Sequence, residues 1–320
     1  MSIWHCHAIN TASKEAGIIK KILSLGSLNI DYVYRVDSIV RPGETISCAG
    51  MAKFCGGKGL NQSIALARAG AHVCHAGKIG GDGDMLLEQL KKNGVDTSCI
   101  VVSQSPTGHA IIQVDQNGQN SIVILAGANG DISQDDIDKF LSGFHKGDLL
   151  LLQNEVSNIE YAMRSAHKRG LMIALNPSPI NKKLAGSDVL QYVDWLIMNE
   201  IEGYEITKKK DSADICDVLL AKYPSCKIVL TLGEKGCVYR DKDASYSQGI
   251  YEVPVVDTTA AGDTFTGYFL ACMLENADIA RALNMASKAA SIAVSRQGAS
   301  DSIPTRDEVE KYQKKDGLSR

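Results

Sequence analysis

The residues that could carry chemistry stand out in a short stretch, 257–263, which reads DTTAAGD. Small residues lead here from a turn into an apolar helix, whose first backbone N–H groups lack partners and carry the positive end of the helix dipole. Because Gly262 has no Cβ to keep a ligand away, Ala260, Ala261 and Gly262 could form a hole for a phosphoryl group. Asp263 could then accept the proton of an attacking hydroxyl as a general base. The alternative is that Asp263 only caps the helix.

Two further polar side chains follow a glycine near the start of the chain. Gly26 ends the first predicted strand, and Asn29 and Asp31 come directly after it. Short amide and carboxylate side chains at a strand end can bind the hydroxyls of a sugar. The same residue types also form Asx turns, so this pattern alone leaves both interpretations open.

A glycine-rich stretch at 56–59 reads GGKG. It is not a Walker A phosphate loop, because no Ser or Thr follows Lys58 and the spacing of the glycines differs. The stretch 26–29, GSLN, likewise does not supply the GxGxxG that a nucleotide-binding oxidoreductase needs after its first strand. Both observations argue against the common nucleotide-binding loops.

The elements that must position these residues alternate between strands and helices along most of the chain. Strands are predicted at 18–25, 73–79, 100–102, 149–153, 172–175, 195–198, 228–232, 237–240 and 249–253. Helices are predicted at 61–68, 85–93, 157–168, 211–222, 262–274 and 277–293. This alternation predicts an α/β fold with a mainly parallel central sheet, helices on both faces, and ligands at the carboxyl ends of the strands.

Two insertions interrupt this rhythm, at about 31–50 and 107–126. The first contains predicted strands at 31–40 and 45–48, and the second contains predicted strands at 109–115 and 120–125 around the turn Asn117-Gly118. We expect the two insertions to pair into one small β-sheet outside the main domain.

Composition narrows the class of protein. A net charge of −3 over 320 residues gives no strong field to attract nucleic acid or an anionic membrane, and no apolar run has the length of a membrane-spanning helix. The nine cysteines include no CxxC pair, which argues against a zinc site and favours reduced thiols in a cytoplasmic enzyme. We expect residues 1–16 to be a disordered tail without a secretory signal, 17–310 to be the folded domain, and 311–320 to be a second tail.

The chain resembles the ribokinase family, the phosphofructokinase-B class of carbohydrate kinases. The resemblance starts from the stretch 257–263 and covers roughly residues 18–305. The other matching motifs occur in the family's order: GSLNID at 26–31, PGET at 42–45, FCGGKGLNQ at 54–62, AGAN at 126–129, NPSP at 176–179, NEIE at 199–202 and TLGEKG at 231–236. The resemblance implies a ribokinase-like α/β fold with a β-sheet lid, and transfer of the γ-phosphoryl group of ATP to a sugar hydroxyl.

The resemblance also assigns roles residue by residue. Catalysis is implied for Asp263 as the base, with Gly262, Ala261 and Ala260 as the anion hole. Sugar binding is implied for Asn29, Asp31, Gly57, Lys58, Gly59, Asn61, Glu155 and Asp263. ATP binding is implied for Asn199, Glu202, Thr231, Leu232, Gly233, Glu234, Lys235, Gly236, Gly262 and Ser287. On its own chemistry, Glu202 is an ordinary first-turn acid and Ser287 has no distinctive feature.

Two metal ions are implied in the same way. Mg²⁺ would accompany ATP and be ordered largely through water by Asn199 and Glu202, which suits a cation that keeps its hydration shell. K⁺ would activate the enzyme from a site between two loops, comprising Asp257, Thr259, Ala293, Arg296, Gly298 and Ser302. The family further suggests a homodimer joined through the lid sheets.

The predicted reaction is phosphorylation of D-ribose at O5, which yields ribose 5-phosphate and ADP. Asn29, Asp31, Lys58, Asn61 and Glu155 together favour a bare pentose. A kinase of the same family acting on deoxyribose, a nucleoside or fructose stays open. The alternative from another class is a sugar-binding sensor without catalysis. Such a protein would be expected to lose Asp263 or Gly262, and both are present.

Overall fold

The computed structural model describes residues 21–312. The predicted tail 1–16, the first three residues of the predicted strand 18–25 and all but the first two residues of the predicted tail 311–320 lie outside the described residues.

Thirteen strands, ten α-helices and three short 3-10 helices make up this part of the chain. The strands are β1 (Ile22–Leu25), β2 (Asn29–Arg35), β3 (Gly50–Gly56), β4 (Val73–Ile79), β5 (Asp96–Val102), β6 (Gly108–Val114), β7 (Asn120–Leu125), β8 (Leu149–Gln153), β9 (Met172–Asn176), β10 (Trp195–Asn199), β11 (Lys227–Thr231), β12 (Cys237–Arg240) and β13 (Ser245–Gln248). The helices are α1 (Lys58–Arg68), α2 (Asp84–Lys92), α3 (Gln134–Leu141), α4 (Ile159–Lys168), α5 (Lys182–Ala185), α6 (Glu200–Thr207), α7 (Ser212–Lys222), α8 (Ala261–Leu274), α9 (Ile279–Val294) and α10 (Arg306–Lys311).

Nine strands form one sheet in the order β13-β12-β11-β10-β9-β8-β1-β4-β5. Its strands run parallel except for β12 and β13, which form an antiparallel hairpin at one edge. The predicted α/β fold with a mainly parallel sheet is confirmed. The strand predicted at 249–253 is wrong: the turn after Arg240 is closed by Asp241, whose carboxylate accepts from the N–H groups of Asp243 and Ala244, and it returns the chain as β13 from Ser245.

Helices cover both faces of this sheet, and an apolar core fills each side. One core joins α1, α8 and α9 to the sheet, and the other joins α3, α4 and α7. Helices α1 and α8 pack so closely that a Cβ added at Gly267 would lie 2.4 Å from the Cβ of Ala65. This contact brings the first turns of α1 and α8 together at the carboxyl edge of the sheet. Within residues 21–312, no helix is long and apolar enough to cross a bilayer.

The two insertions form a separate four-stranded sheet, here called the lid sheet, in the order β3-β2-β6-β7. The expectation that they pair with each other is confirmed, and the contact between them is the parallel pairing of β2 with β6. The strand predicted at 45–48 is wrong, because the partner of β2 is β3, which starts at Gly50 and places Gly56 opposite Asn29. Glycine has a low β propensity, so the glycines at both ends of β3 kept this strand from being predicted. In the folded protein, hydrogen bonding to β2 outweighs that low propensity.

Candidate active site

The turn between β1 and β2 is held in place by Asn129. The backbone N–H of Leu28 donates to Asn129 Oδ1 at 3.0 Å, and Asn129 Nδ2 donates to Asn29 Oδ1 at 2.8 Å. Asn29 is therefore buried and fixed in orientation, as a residue that recognises a hydroxyl must be. Asn129 is a site residue that the sequence did not assign, although its motif at 126–129 was visible.

Asp31 lies on the lid sheet with its carboxylate against the backbone of Gly56. A Cβ added at Gly56 would lie 2.1 Å from Asp31 Oδ2, so glycine is required there for space. Burial, and to a smaller extent the charge of Glu155, raises the pKa of Asp31 to about 6. Two neighbouring carboxyl groups that disfavour a further negative charge suit an uncharged polyhydroxyl ligand.

Glu155 fixes the start of α1. Its Oε2 accepts from the backbone N–H of Lys58 at 3.1 Å and from the hydroxyl of buried Ser27. Gly57 precedes the helix with a φ of 97°, a conformation that favours glycine, and its missing Cβ leaves room for Ser27 O. The missing side chain of Gly57 therefore allows its backbone to lie close to the backbone of Ser27.

The ammonium of Lys58 lies among carboxylates. Burial alone would lower the pKa of Lys58, but the charges of Asp263, Glu155 and Glu202 outweigh it and raise the pKa. Lys58 therefore carries its positive charge near the carboxylates of Asp263, Glu155 and Glu202.

Asp263 is held by two adjacent residues of α1. Asn61 Nδ2 donates to its Oδ2 at 3.0 Å, and Gln62 Nε2 donates to its Oδ1 at 2.8 Å. The aspartate is only 8% exposed, so it does not serve as a solvated helix cap. Gln62 was not predicted, and Asn61 contacts the predicted base in addition to its predicted role in the sugar pocket.

The residues of the predicted anion hole, 260–262, lead directly into α8. Ala260 adopts φ 60°, a left-handed conformation rare outside glycine, and so turns the chain into α8. The backbone N–H groups of Gly262 and Asp263 donate to no other residue within 21–312. A Cβ added at Gly262 would meet nothing within 4 Å, which leaves open space over the helix start. The N–H of Ala261, which was predicted to belong to the same hole, donates instead to Thr258 O at 3.3 Å.

The residues predicted to bind ATP and Mg²⁺ follow the ends of β10 and β11. Asn199 and Glu202 form a capping box at the start of α6: each side chain accepts a hydrogen bond of 2.9 Å from the other's backbone N–H. Thr231 ends β11, and the loop from Leu232 to Gly236 follows it, with Glu234 and Lys235 exposed. These roles stay predictions.

Gly236 and Ser287 have structural surroundings of their own. A Cβ added at Gly236 would lie 2.0 Å from Gln248 O, so this glycine is needed for the β12–β13 hairpin. The Ser287 hydroxyl is buried and lies 3.8 Å from Cys237 Sγ. Its predicted contact with the nucleotide stays a prediction.

The two loops predicted to hold K⁺ meet at Asp257. Its Oδ1 accepts from the N–H of Thr259 at 2.9 Å, and its Oδ2 accepts from the N–H of Gly298 at 3.0 Å. Burial would raise the pKa of Asp257, but these hydrogen bonds outweigh it and lower the pKa. Ala293 lies in the last turn of α9 with its carbonyl accepting from the N–H of Arg296.

The other predicted K⁺ residues use their side chains elsewhere. The guanidinium of Arg296 pairs with Glu308 at 2.6 Å, and Ser302 Oγ donates to Ala299 O at 2.8 Å. Any contribution of Arg296 or Ser302 to a cation would therefore come from backbone carbonyls.

Known proteins share both the sequence and this architecture. The family model for the pfkB family carbohydrate kinase matches residues 19–306. A ribokinase from Haemophilus influenzae is 36% identical over 300 residues, which covers 91% of this chain and 97% of that protein. A deoxyribokinase from Salmonella typhimurium is 30% identical and covers 91% of this chain and 98% of that protein.

The solved structure of Arabidopsis thaliana ribokinase complexed with ribose and ATP superposes with a TM-score of 0.82 at 29% identity, covering 91% of this chain and 97% of that one. The resemblance stated from the motifs is thereby confirmed, and so are the fold and the sugar-kinase activity class. The chain belongs to the pfkB family of carbohydrate kinases and is a transferase that phosphorylates a sugar with ATP.

Proposed function

We propose that this enzyme transfers the γ-phosphoryl group of ATP to O5 of D-ribose, with Asp263 as the general base. The observation that carries the proposal is the first turn of α8. There the anchored carboxylate of Asp263 lies beside two free backbone N–H groups and open space over Gly262. A base and an anion hole in one helical turn are what phosphoryl transfer to a hydroxyl requires.

In this mechanism the sugar lies between the lid sheet and α1. Asn29, Asp31 and Glu155 accept from or donate to its hydroxyls, together with Lys58 and the backbone at Gly57 and Gly59. Asp263 accepts the proton of the attacking hydroxyl, and the free N–H groups at the start of α8 stabilise the charge that grows on the transferring group. Lys58 adds positive charge on the same side.

The nucleotide would lie across the ends of β10 and β11, against Asn199, Glu202 and the loop 231–236. Mg²⁺ bound with ATP would neutralise phosphate charge, held through water because the Asn199 and Glu202 side chains already bond each other's backbone. K⁺ would be held near Asp257 and the carbonyls of the 293–302 loop, where it would stiffen the anion hole without touching the sugar.

The lid sheet is expected to close over the sugar and exclude water, which limits hydrolysis of ATP. Its outer strand β7 exposes Ile122, Val123, Ile124 and Leu125, each at least 49% accessible. Successive residues of a strand point to opposite faces of the sheet, so both faces of this edge strand expose apolar side chains. Exposed apolar surface of this kind marks an interface. We infer a homodimer joined through the lid sheets, acting in the cytoplasm; a monomer in light-scattering measurements at micromolar concentration would contradict the dimer.

The base is tested by Asp263→Asn. We expect kcat to fall by at least roughly 100-fold while ribose and ATP still bind in calorimetric titrations. The matched control is Asp307→Asn, which makes the same change in the first turn of the exposed helix α10. Wild-type turnover in Asp263→Asn would refute the assignment.

The substrate is tested by ATP turnover with ribose, deoxyribose, fructose and nucleosides, each in K⁺ and Na⁺ buffers. We expect the highest kcat/KM with ribose, and higher turnover in K⁺. Deoxyribose is the second candidate, because a deoxyribokinase is nearly as similar to this chain as the ribokinases are. Equal rates in the two salts would refute the cation site, and ligand binding without turnover of any sugar would favour a sensor.

A further inference from the structure

Two buried amide side chains form a chain of hydrogen bonds that ends at Asp263. Gln62 on α1 and Gln153 at the end of β8 are both fully buried. Gln153 Nε2 donates to Gln62 Oε1 at 2.7 Å, and Gln62 Nε2 donates to Asp263 Oδ1 at 2.8 Å. Burying two amides is costly unless they are hydrogen-bonded, and Gln153 Oε1 has no partner within residues 21–312. The bonds that the two amides do make, to each other and to Asp263, are therefore a strongly constrained feature of the core.

The direction of this chain of hydrogen bonds is fixed by chemistry. An ionised carboxylate only accepts, so Gln62 must turn its NH₂ group toward Asp263. The second hydrogen of that group reaches Asn176 Oδ1 at 3.1 Å, and Asn176 Nδ2 in turn donates to Ile197 O at 2.9 Å. Turning the Gln62 amide over would place its oxygen against both Asp263 Oδ1 and Asn176 Oδ1.

Gln153 itself has little freedom to move. A Cβ added at Gly26 would lie 2.1 Å from Gln153 Oε1, so this side chain fills the space that the glycine leaves. Gly26 is the first residue of the turn that leads to Asn29. The same glycine leaves room for the amide of Gln153, which donates to Gln62. The turn proposed to bind the sugar and the proposed base Asp263 are therefore both in contact, directly or through Gln62, with the side chain of Gln153.

We propose that Gln62 is a positioning residue that sets the orientation of the Asp263 carboxylate, and that Gln153 keeps Gln62 in its donating orientation. This inference rests on the proposed role of Asp263 as the base. Asn61 holds the other oxygen at 3.0 Å, so the two neighbours on α1 fix the carboxylate plane and leave one acceptor position on each oxygen for the substrate. A misplacement of about 1 Å at a reacting group can cost roughly 100-fold in rate.

The test is Gln62→Met, which keeps the size of the side chain and removes its hydrogen bonds. We expect kcat to fall roughly 10- to 100-fold, with the KM and the dissociation constant for ribose within about threefold of wild type. Gln153→Met leaves the bond to Asp263 in place and should give a smaller fall. Because both act through one path, Gln153→Met should have almost no further effect in the Gln62→Met background.

Ser63→Ala is the matched control. Ser63 is a fully buried polar residue on the same helix whose hydroxyl contacts His75 at 2.8 Å and not this chain of amides. We expect it to alter thermal stability and leave kcat unchanged.

A folded Gln62→Met enzyme with kcat within about twofold of wild type would overturn the inference, and so would additive effects of the two substitutions. If Gln62→Met does not fold, Gln153→Met decides: unchanged kcat in that variant refutes the role of the pair. The base proposal fails separately, because its failure would appear as full activity in Asp263→Asn. If Asp263→Asn loses activity while Gln62→Met keeps full activity, only the positioning role of Gln62 is refuted.

Discussion

Replacing Asp31 by asparagine should make the free enzyme more stable at pH 8 while it weakens sugar binding. Burial and the nearby charge of Glu155 raise the pKa of Asp31 from 3.8 to about 6. A carboxyl whose pKa is raised on folding is penalised in its ionised form, and here the difference corresponds to about 3 kcal/mol. The amide of asparagine has nearly the same size and carries no charge, so most of this penalty should disappear in Asp31→Asn.

The expected shift in Tm follows from the size of the chain. Unfolding entropy is about 2.1 cal/mol/K per residue, or about 0.7 kcal/mol/K for a chain of this length, so about 3 kcal/mol corresponds to a rise in Tm of about 4 to 5 °C. The sign depends on pH: the penalty is fully present above pH 6 and is lost as the pH falls toward 3.8, because the carboxyl is then protonated in the folded and the unfolded chain alike. At about pH 5 roughly half of the effect should remain.

The assay is thermal and urea unfolding of wild type and Asp31→Asn at about pH 8 and about pH 5, without ligands. Asp37→Asn is the control, because Asp37 is an exposed aspartate that follows the same lid strand. The kcat/KM for ribose should fall in Asp31→Asn at both pH values. Two outcomes would refute this reasoning: an Asp31→Asn variant that is no more stable than wild type at about pH 8, or one whose gain in stability is the same at about pH 5. Either would show that the ionised carboxylate of Asp31 does not destabilise the folded protein.

Three further substitutions test the packing around the site. Gly56→Ala places a Cβ 2.1 Å from Asp31 Oδ2, and we expect the KM for ribose to rise about 10-fold with little change in kcat; an unchanged KM would contradict the contact. Ala260→Gly relieves a φ of 60° and should stabilise the protein by about 1 kcal/mol in urea unfolding, whereas a loss of stability would mean that this turn is not strained. Gly267→Ala forces α8 away from α1 and should lower both Tm and kcat, by about 2 kcal/mol in stability; retention of both would argue against rigid coupling of these helices.

Sequence reasoning predicted the parts of the fold that depend on periodicity. The parallel strands from β8 to β11 and the helices α7 and α8 were placed to within about two residues. The helices α3 and α6 were missed, although each starts with a capping box, at Ser133 with Asp136 and at Asn199 with Glu202. Both are 8 residues long, so the apolar period has too few turns to be visible.

The residues of the candidate site that lie in sequence motifs could be named from the sequence. Contacts between residues far apart in the chain could not, because the fold brings them together. Gln62 and Gln153 are separated by 91 positions and come together only because α1 packs over the end of β8. Asn129 reaches Leu28 across 101 positions in the same way. No local sequence pattern predicts such contacts, because each depends on the order of strands in the sheet.

The first two turns of α1 have a consequence for how this enzyme can change. In the proposed mechanism Lys58 and the backbone at Gly59 contact the sugar, and Asn61 and Gln62 hold the base, so a substitution in α1 that altered the choice of sugar would also disturb the rate of catalysis. The lid sheet carries Asp31 on a separate layer, joined to the body by short connections. New specificities are therefore expected to evolve, or to be engineered, through the lid, while the start of α1 is retained.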